Sequence, residues 1–441
     1  MKTRFIITAI PLFFSLFVSQ AQKIQNLSLD DVVQMALTTS DASKINAAQV
    51  TQAQQALKVT KNNQYPDVDI SGQYRYLTNA DVKLQIPVSA ASGENSEEQA
   101  TASHDVNGLL LGSANVSMPL FSGFKLKNSI SASENKLQAA IYNAANDQEE
   151  LALRAIQTYL NLYKANATIG LFEDNLKSAN QRVTDFSNME ANGLLARNDL
   201  LKAQLQQANV ELALAEAKKN AKILNYRLNA LLKLPEETQI STEVNAITSV
   251  ANGLPSTENR NDLKALDFQE EALQDQIKVA KADYYPSLAL VGGYIALDLN
   301  NALTVTNAMN VGVGVSYNLA SLFKSKANVK LAESQAQQLR YQIDEATAQA
   351  KVNAQNAFAE YNLALNTFEV YEVSKEQAEE NYRIVKDKYD NGLSDTNDLL
   401  EADVQQLQAN INLTYAKADI TQTYYQLLSA EGVLTKQFSQ N

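Results

Sequence analysis

The feature that most constrains this chain is a long stretch between Asn318 and Gly392 that contains neither glycine nor proline. These two residue types most often end a helix, because glycine costs backbone entropy and proline lacks the N–H donor. The stretch 121–191 has no proline, and beyond its first turn its only glycine is Gly170. The sequence therefore predicts two continuous helices, 121–191 and 320–390, each on the order of 100 Å long.

Helices of this length need partners along their sides. In the first long helix, apolar residues recur at steps of three, four and seven, namely Ile130, Leu137, Ile141, Ala144, Leu151, Ala155 and Leu162. This spacing is typical of a coiled-coil seam. It predicts helices packed along one another and disfavours a compact globule.

Each long helix is followed by the same short motif. Asn-Gly-Leu occurs at 192–194 and again at 391–393, and Asn-Asp-Leu-Leu follows at 198–201 and at 397–400. The two copies of the motif are 199 residues apart. A fixed offset of this kind indicates an internal duplication. We therefore expect two tandem repeats, 22–234 and 260–441, joined by a loosely structured equatorial segment at 235–259.

Each repeat is predicted to contain a helix, two strands, the long helix and a further helix. In the first strand, Val68, Ile70, Tyr74 and Tyr76 alternate with polar residues, so one face is apolar and the other polar. The predicted elements are helices at about 28–62, 194–234, 260–283 and 395–436, and strands at about 67–77, 109–119, 287–297 and 309–319.

Strands with this pattern fit either a small soluble sheet on helices or a transmembrane β-barrel, and tyrosines near the strand ends favour the barrel. Apart from the N-terminus, no stretch has the roughly 18 continuous apolar residues of a membrane-spanning helix, so any membrane insertion would use the strands. Four strands cannot close a barrel, which needs about eight. Several protomers would share one, and the pattern leaves open two protomers or three.

The N-terminus resembles a secretory signal. Lys2 and Arg4 precede an apolar run that ends before Ser19-Gln20-Ala21, which predicts a signal peptide at 1–21. The chain has no cysteine, so disulfides, thiolate metal sites and lipid attachment to a cysteine are excluded. The net charge of −12 disfavours nucleic acid as a partner. The acidity fits ordinary solubility or a pore that prefers cations.

The sequence offers little catalytic chemistry. It has one histidine, His104, and no phosphate-binding glycine-rich loop or metal-ligand cluster. His104 falls in a predicted external loop, 79–108, where a solvated side chain is the simplest interpretation. We therefore expect no enzyme activity, no catalytic residues, no cofactor and no metal site.

The duplicated halves, with their Asn-Gly-Leu tips, resemble the TolC-like outer membrane efflux protein family over nearly all of the predicted mature chain. The resemblance implies an α+β, mainly α, homotrimer. Three protomers would contribute four strands each to a 12-stranded outer membrane barrel, which an α-helical coiled-coil barrel would continue into the periplasm. It implies that Gly193, Leu194, Gly392 and Leu393 form a periplasmic tip that meets an adaptor (membrane fusion) protein of an inner membrane transporter.

The resemblance also implies a pore constriction near that tip. Tyr389 matches a tyrosine of the family's gate, and Asp398 and Glu401 match its acidic pair, whereas Ser394 stands where an arginine would be. Asp199 is the counterpart of Asp398 in the first repeat. Helix capping explains both aspartates equally well, but Glu401 is three residues after Asp398 and shares its helix face. In a trimer that face would bring six carboxylates near one axis.

The leading functional hypothesis is a passive exit duct across the outer membrane, for small molecules or polypeptide, in a tripartite efflux or type I secretion system. The alternative is a periplasmic coiled-coil scaffold or adaptor that never enters a membrane, and amphipathic strands argue against it. The cargo and the particular pump do not follow from the sequence.

Overall fold

The computed structural model describes residues 24–83, 103–244, 254–300 and 302–438. The predicted signal peptide, 1–21, lies outside these residues. So do 84–102, the centre of the predicted external loop, and 245–253, in the predicted equatorial segment.

The described part is mainly helical with a small sheet, as the sequence predicts. None of the described helices combines the length and the low polarity needed to cross a membrane. The helices are α1 Leu29–Thr39, α2 Asp41–Asn62, α3 Lys125–Ala191, α4 Arg197–Leu232, α5 Asn261–Lys281, α6 Ser321–Asp390, α7 Thr396–Glu431 and α8 Leu434–Phe438. The strands are β1 Ile24–Leu27, β2 Asp67–Lys83, β3 Ser103–Ser122, β4 Gln239–Thr242, β5 Ser287–Leu299 and β6 Leu303–Ser316.

The chain divides into two compact units, and each takes residues from both halves of the sequence. The first unit consists of Met1–Lys44, Gln148–Asn259 and Asn353–Asn441. The second unit consists of Ile45–Asp147 and Arg260–Val352. Neither unit coincides with one sequence repeat, because the long helices α3 and α6 each contribute to both.

The second unit contains a four-stranded antiparallel sheet in the order β2-β3-β5-β6. The central pairing of β3 with β5 joins strands from the two sequence halves. In one row across the sheet, Val68, Val116, Gly292 and Val311 are neighbours, so apolar side chains of different strands share a face. Ile70 and Val311 on this face are each 83% exposed.

The strands differ from their predicted bounds. After an irregularity between Tyr76 and Ala80, pairing of β2 with β3 resumes and continues to Lys83 opposite Ser103. Backbone pairing continues there, so the predicted loop 79–108 is wrong at both ends, and His104 lies in β3. Strand β6 ends at Ser316 rather than 319, since the Asn318 side chain accepts a hydrogen bond from the Ala320 N–H (3.0 Å) in the turn before α6.

The predicted helix 28–62 is two helices. Ser40 has an extended backbone (φ −65°, ψ 154°), and its hydroxyl accepts a hydrogen bond from the Ser43 N–H (3.2 Å). It therefore ends α1 and caps the next turn. Ser28 begins α1 with a capping box, in which its hydroxyl accepts from the Asp31 N–H and the Asp31 carboxylate accepts from the Ser28 N–H.

The main core of the first unit surrounds Tyr159, which is completely buried. Its hydroxyl donates to the Leu27 carbonyl (2.8 Å) and accepts from the Glu243 N–H (2.9 Å). These bonds anchor β1 and the residue that follows β4, and the two strands pair in parallel. The segment 235–259 was predicted to be loosely structured, which is wrong for β4, because strand pairing and Tyr159 order it.

Candidate functional site

Both Asn-Gly-Leu motifs form the turns of helical hairpins in the first unit. The turn 192–196 joins α3 to α4, and the turn 391–395 joins α6 to α7. Gly193 and Gly392 adopt left-handed backbone conformations with φ of 73° and 72°. Each turn is closed by a six-residue hydrogen bond of 2.8 Å, from the Leu194 N–H to the Met189 carbonyl and from the Leu393 N–H to the Lys388 carbonyl.

The backbone conformation, and not close packing, favours glycine at these two positions. A Cβ added at Gly193 or Gly392 would have no atom within 4 Å, whereas the positive φ disfavours any L side chain. The leucines that follow are strongly exposed, Leu194 by 74% and Leu393 by 78%. Each hairpin therefore presents one apolar side chain at its turn.

The two hairpins cap their second helices differently. The Asp395 carboxylate accepts hydrogen bonds from the N–H groups of Asn397 (2.8 Å) and Asp398 (3.0 Å) and caps α7. At the equivalent position before α4, Ala196 has no side-chain cap. Asp398 and Asp199 lie in first helical turns, where a carboxylate is favoured, but neither is the capping residue.

Asp398 and Glu401 are exposed at the start of α7. The Asp398 carboxylate accepts a hydrogen bond from the Ser394 hydroxyl (2.8 Å), and Glu401 accepts one from the Gln405 amide (3.1 Å). Within the described chain, neither carboxylate forms an ion pair. Ser394 therefore bonds Asp398 without neutralising its charge.

Asp199 differs from Asp398, because Lys202 lies 3.3 Å from its carboxylate. The charge of Asp199 also affects the pKa of Tyr389. Burial raises the pKa of Tyr389, a hydrogen bond with Thr396 lowers it, and the negative charge of Asp199 raises it further. The structure therefore brings Tyr389 near Asp199.

Tyr389 joins the apolar contact between the hairpins. Its ring stacks on Phe186 of α3, with centroids 5.7 Å apart. The buried centre of this cluster also includes Leu200 and Ala203 of α4 and Leu399 of α7. Tyr389 thus helps to attach the second hairpin to the first, while Asp398 and Glu401 remain exposed.

The sequence did not point to the strongest polar contact of this region. Arg182 of α3 forms two parallel bonds with Asp403 of α7, Nη1 to Oδ2 at 3.1 Å and Nη2 to Oδ1 at 3.0 Å. The two side chains are only 8% and 4% exposed. Burial lowers the pKa of the Arg182 guanidinium, but the Asp403 carboxylate outweighs this effect and keeps the pKa above its ordinary value.

The repeated motif allows this pair to be compared with the other half of the sequence. At the 199-residue offset, Arg182 corresponds to Asn381 and Asp403 to Gln204, so each position is charged in only one half of the sequence.

The arrangement offers no metal centre, because no group of three or more His, Cys, Asp or Glu side chains in the described residues could hold a metal ion. Its chemistry consists of exposed carboxylates, exposed leucines and a buried contact between two hairpins.

Comparison with known proteins assigns the chain to a family. A profile of outer membrane efflux proteins matches residues 32–232 and 256–433. The chain belongs to the outer membrane efflux protein family. The TolC-like resemblance is thereby confirmed, and membership carries an outer membrane location and a role in transport.

Individual relatives of this family are distant in sequence but similar in fold. The outer membrane efflux protein BepC of Brucella suis is 22% identical over 328 residues, which are 72% of this chain and 70% of BepC. The Campylobacter jejuni CmeC outer membrane channel superimposes with a TM-score of 0.75 at 16% identity, over 100% of this chain and 97% of that one. The open state of the Neisseria gonorrhoeae MtrE outer membrane channel gives 0.71 at 17% identity, over 92% and 89%.

Proposed function

We propose that this protein is the passive outer membrane exit duct of a tripartite efflux or type I secretion system. Three copies would form one 12-stranded barrel, continued into the periplasm by their helices. An inner membrane transporter would supply the energy and a periplasmic adaptor would connect the two. The cargo would be small molecules or polypeptide.

The observation that carries this proposal is the four-stranded sheet. One face exposes large apolar side chains, including Tyr74 (70%) and Met309 (79%) as well as Ile70 and Val311. Its edge strands, β2 and β6, each pair with one neighbour among the described strands. An apolar face and two open edges suit a barrel that faces lipid and is closed by further copies of the chain.

An exposed apolar row on α4 also supports association of copies. Leu201, Leu205 and Leu212 are 49%, 65% and 62% exposed, and they follow one another at steps of four and seven. A soluble helix with this pattern gains stability by packing on another helix. A second copy of the chain would provide that helix.

The hairpin turns suggest where the duct is constricted and opened. Asp398 and Glu401 are exposed and lack ion pairs within the described chain, so a trimer would place six uncompensated carboxylates near its axis. Tyr389 and Asp199 would link the hairpins behind this ring. Gly193, Leu194, Gly392 and Leu393 would form the surface that docks the adaptor.

The conductance of the purified mature protein in a planar lipid bilayer tests the proposal. We expect a small, cation-selective conductance that grows or loses selectivity when Asp398 and Glu401 are both replaced by alanine. The matched control is the double variant Glu211→Ala/Glu216→Ala, which removes two exposed carboxylates of α4 and is expected to leave the selectivity unchanged.

The possible results separate the parts of the proposal. A conductance and selectivity that neither double variant changes would support the duct and would rule out the acidic constriction. Failure of the wild-type protein to insert, together with fractionation as a soluble protein, would favour the periplasmic scaffold.

A further inference from the structure

A second motif repeats at the same 199-residue offset as the glycine turns, and the exit-duct function gives it no role. Leu-x-Ser-x-Phe-Lys-x-Lys occurs at 120–127 and again at 319–326. Both copies lie in the second unit, where a strand leads into a long helix, β3 into α3 and β6 into α6. We call these two segments the junctions. Ser122 at the end of β3 and Ser316 at the end of β6 are both opposite Ser287, so the junctions lie at the same end of the sheet.

In the first junction, an aromatic side chain extends the apolar face of the sheet. Phe121 is opposite Leu288, and Leu288 is opposite Val315. Val315 lies four residues from Val311, so this row belongs to the apolar face. The ring of Phe124 packs edge-on against that of Phe121, with centroids 5.2 Å apart, and extends the face beyond the end of β3. Aromatic residues at the border of an apolar band are typical of the membrane boundary of β-barrels.

Phe124 holds this position at a conformational cost. Its φ is 66°, in a region that bulky L residues rarely adopt. The ring is nevertheless 55% exposed, and it makes a further edge-on contact with Tyr285, with centroids 6.4 Å apart. A strained and exposed phenylalanine is unfavourable in water, whereas contact with acyl chains would cover the ring.

The second junction combines an aromatic residue and lysines on one face of α6. Phe323 is 86% exposed. Lys326 and Lys330 follow it at steps of three and seven, so the three side chains share a helix face. Ser325 and Val329 are buried, which places the protein contacts of this part of α6 on another face. The face of Phe323 is therefore free for a partner that is apolar at one level and anionic at the next.

The junctions are basic in an otherwise acidic chain. The stretches 120–133 and 319–332 contain no aspartate or glutamate and five lysines, whereas the whole chain has 49 acidic and 37 basic residues. Lys125 forms an ion pair with Asp283 (3.3 Å). The other four lysines are exposed and have no ion pair with any described residue, namely Lys127, Lys324, Lys326 and Lys330. This patch therefore attracts anions.

We propose that the two junctions bind the phosphate groups of anionic phospholipids at the periplasmic surface of the outer membrane. The inference rests on the proposed function, because it requires the sheet to span the membrane with its helices in the periplasm. Phe124 and Phe323 would enter the acyl chains, while Lys127, Lys324 and Lys326 would reach the headgroups. Lipid is the occupant because the lysines directly follow the apolar face that the bilayer would cover, and because their charge complements an anionic headgroup.

Fluorescence quenching by brominated lipids tests this proposal on the full mature chain. The chain has no tryptophan, so Phe323→Trp introduces a single fluorophore at a junction. The variant is reconstituted into bilayers of phosphatidylglycerol and phosphatidylcholine in equal amounts, in which one lipid or the other carries brominated acyl chains. We expect a preference for phosphatidylglycerol of about fivefold or more, the effect of one lysine at an anionic surface. Val311→Trp, on the sheet, should be quenched by both lipids.

Replacing the lysines separates headgroup binding from simple insertion. Lys127→Gln/Lys324→Gln/Lys326→Gln should reduce the preference at Phe323→Trp to about twofold or less, while quenching itself persists. The matched control replaces three exposed lysines of the first unit that also have no ion pair with a described residue, Lys177→Gln/Lys219→Gln/Lys222→Gln, and should keep the preference. Leu319→Trp, at a side chain that is 66% exposed, is a second probe of the same junction should Phe323→Trp not reconstitute.

The outcomes distinguish this inference from the exit duct. If Val311→Trp is quenched but the junction probe shows no preference for phosphatidylglycerol, the inference is overturned and the duct is retained. A preference that survives the triple junction variant, or that the control variant abolishes equally, would also overturn it. Absence of quenching of Val311→Trp by either lipid would contradict membrane insertion of the sheet, and with it the proposed function as well.

Discussion

Replacing Arg182 by methionine should loosen the contact between the two hairpins, because it leaves the Asp403 carboxylate buried without a counter-charge. Asp403 is 4% exposed, and after the substitution the one side-chain donor that the described residues still offer it would be Asn175, whose amide is 3.4 Å away. Methionine roughly fills the volume of the arginine stem, so the lost charge dominates over lost packing.

The expected magnitude follows from the burial of the pair. Removing one partner of a buried ion pair typically costs about 3–5 kcal/mol, whereas replacing both with apolar residues is often neutral or stabilising. The double variant Arg182→Met/Asp403→Leu should therefore recover most of the loss. The control is Arg383, which bonds Glu380 and Asp387 where all three side chains are at least 55% exposed, so Arg383→Met should change the stability very little.

Hydrogen exchange measured by mass spectrometry, on peptides that cover positions 182 and 403, provides the assay. A loss of about 3–5 kcal/mol in local opening free energy accelerates exchange by roughly 10² to 4 × 10³ where opening of the hairpins limits it. The double variant and Arg383→Met should exchange within about tenfold of the wild type. If Arg182→Met matched Arg383→Met, or if the double variant exchanged faster than Arg182→Met, the reasoning from a buried charge would be refuted.

Three further predictions concern backbone, hydroxyl and carboxylate contacts, each measured by thermal unfolding followed by circular dichroism. Gly392→Ala should cost about 1 kcal/mol through the positive φ of Gly392 alone, because the space around this residue is open. Gly392→Asn should cost less, because asparagine adopts a left-handed backbone conformation more readily than alanine. Equal costs would contradict this cause. Tyr159→Phe should cost about 1–3 kcal/mol, since it leaves the groups that bond its hydroxyl unsatisfied; an unchanged melting temperature would contradict it. For Asp275, burial raises the pKa, but hydrogen bonds from Lys278 and Ser131 outweigh it and keep the pKa below the ordinary 3.8. Its stabilisation is therefore present above pH 4 and lost as the pH falls, so Asp275→Asn should destabilise the protein at pH 7 and progressively less below pH 4; a pH-independent difference would show that the charge is not responsible.

The fold class was predictable because its signals are local. Helix α6 contains no glycine or proline, and Gly392 lies in the turn that follows it. Strand β2 begins at the alternation around Val68. The ends of the strands were less predictable. Strand β2 continues to Lys83 because it pairs with β3, and that pairing depends on two segments that are distant in the sequence.

The candidate site was predictable only where the repeated Asn-Gly-Leu motif marked it. The two glycine turns repeat at a fixed offset, and the structure gives both the same backbone conformation. The roles of the acids near them depend on contacts that differ between the repeats. Asp395 rather than Asp398 caps α7, and Lys202 pairs with Asp199 while its counterpart Glu401 has no ion pair in the described chain.

By itself, the sequence determined the helical character, the amphipathic strands and the positions of the turns. Glycine and proline affect the backbone of adjacent residues, and the apolar periodicity of a helix or strand is visible within a short stretch of sequence. Only the tertiary structure decided that Arg182 meets Asp403 and that Tyr389 stacks on Phe186. The physical reason is that burial, and the electrostatic cost or gain that comes with it, depends on which distant segments pack together, and no local pattern encodes that choice.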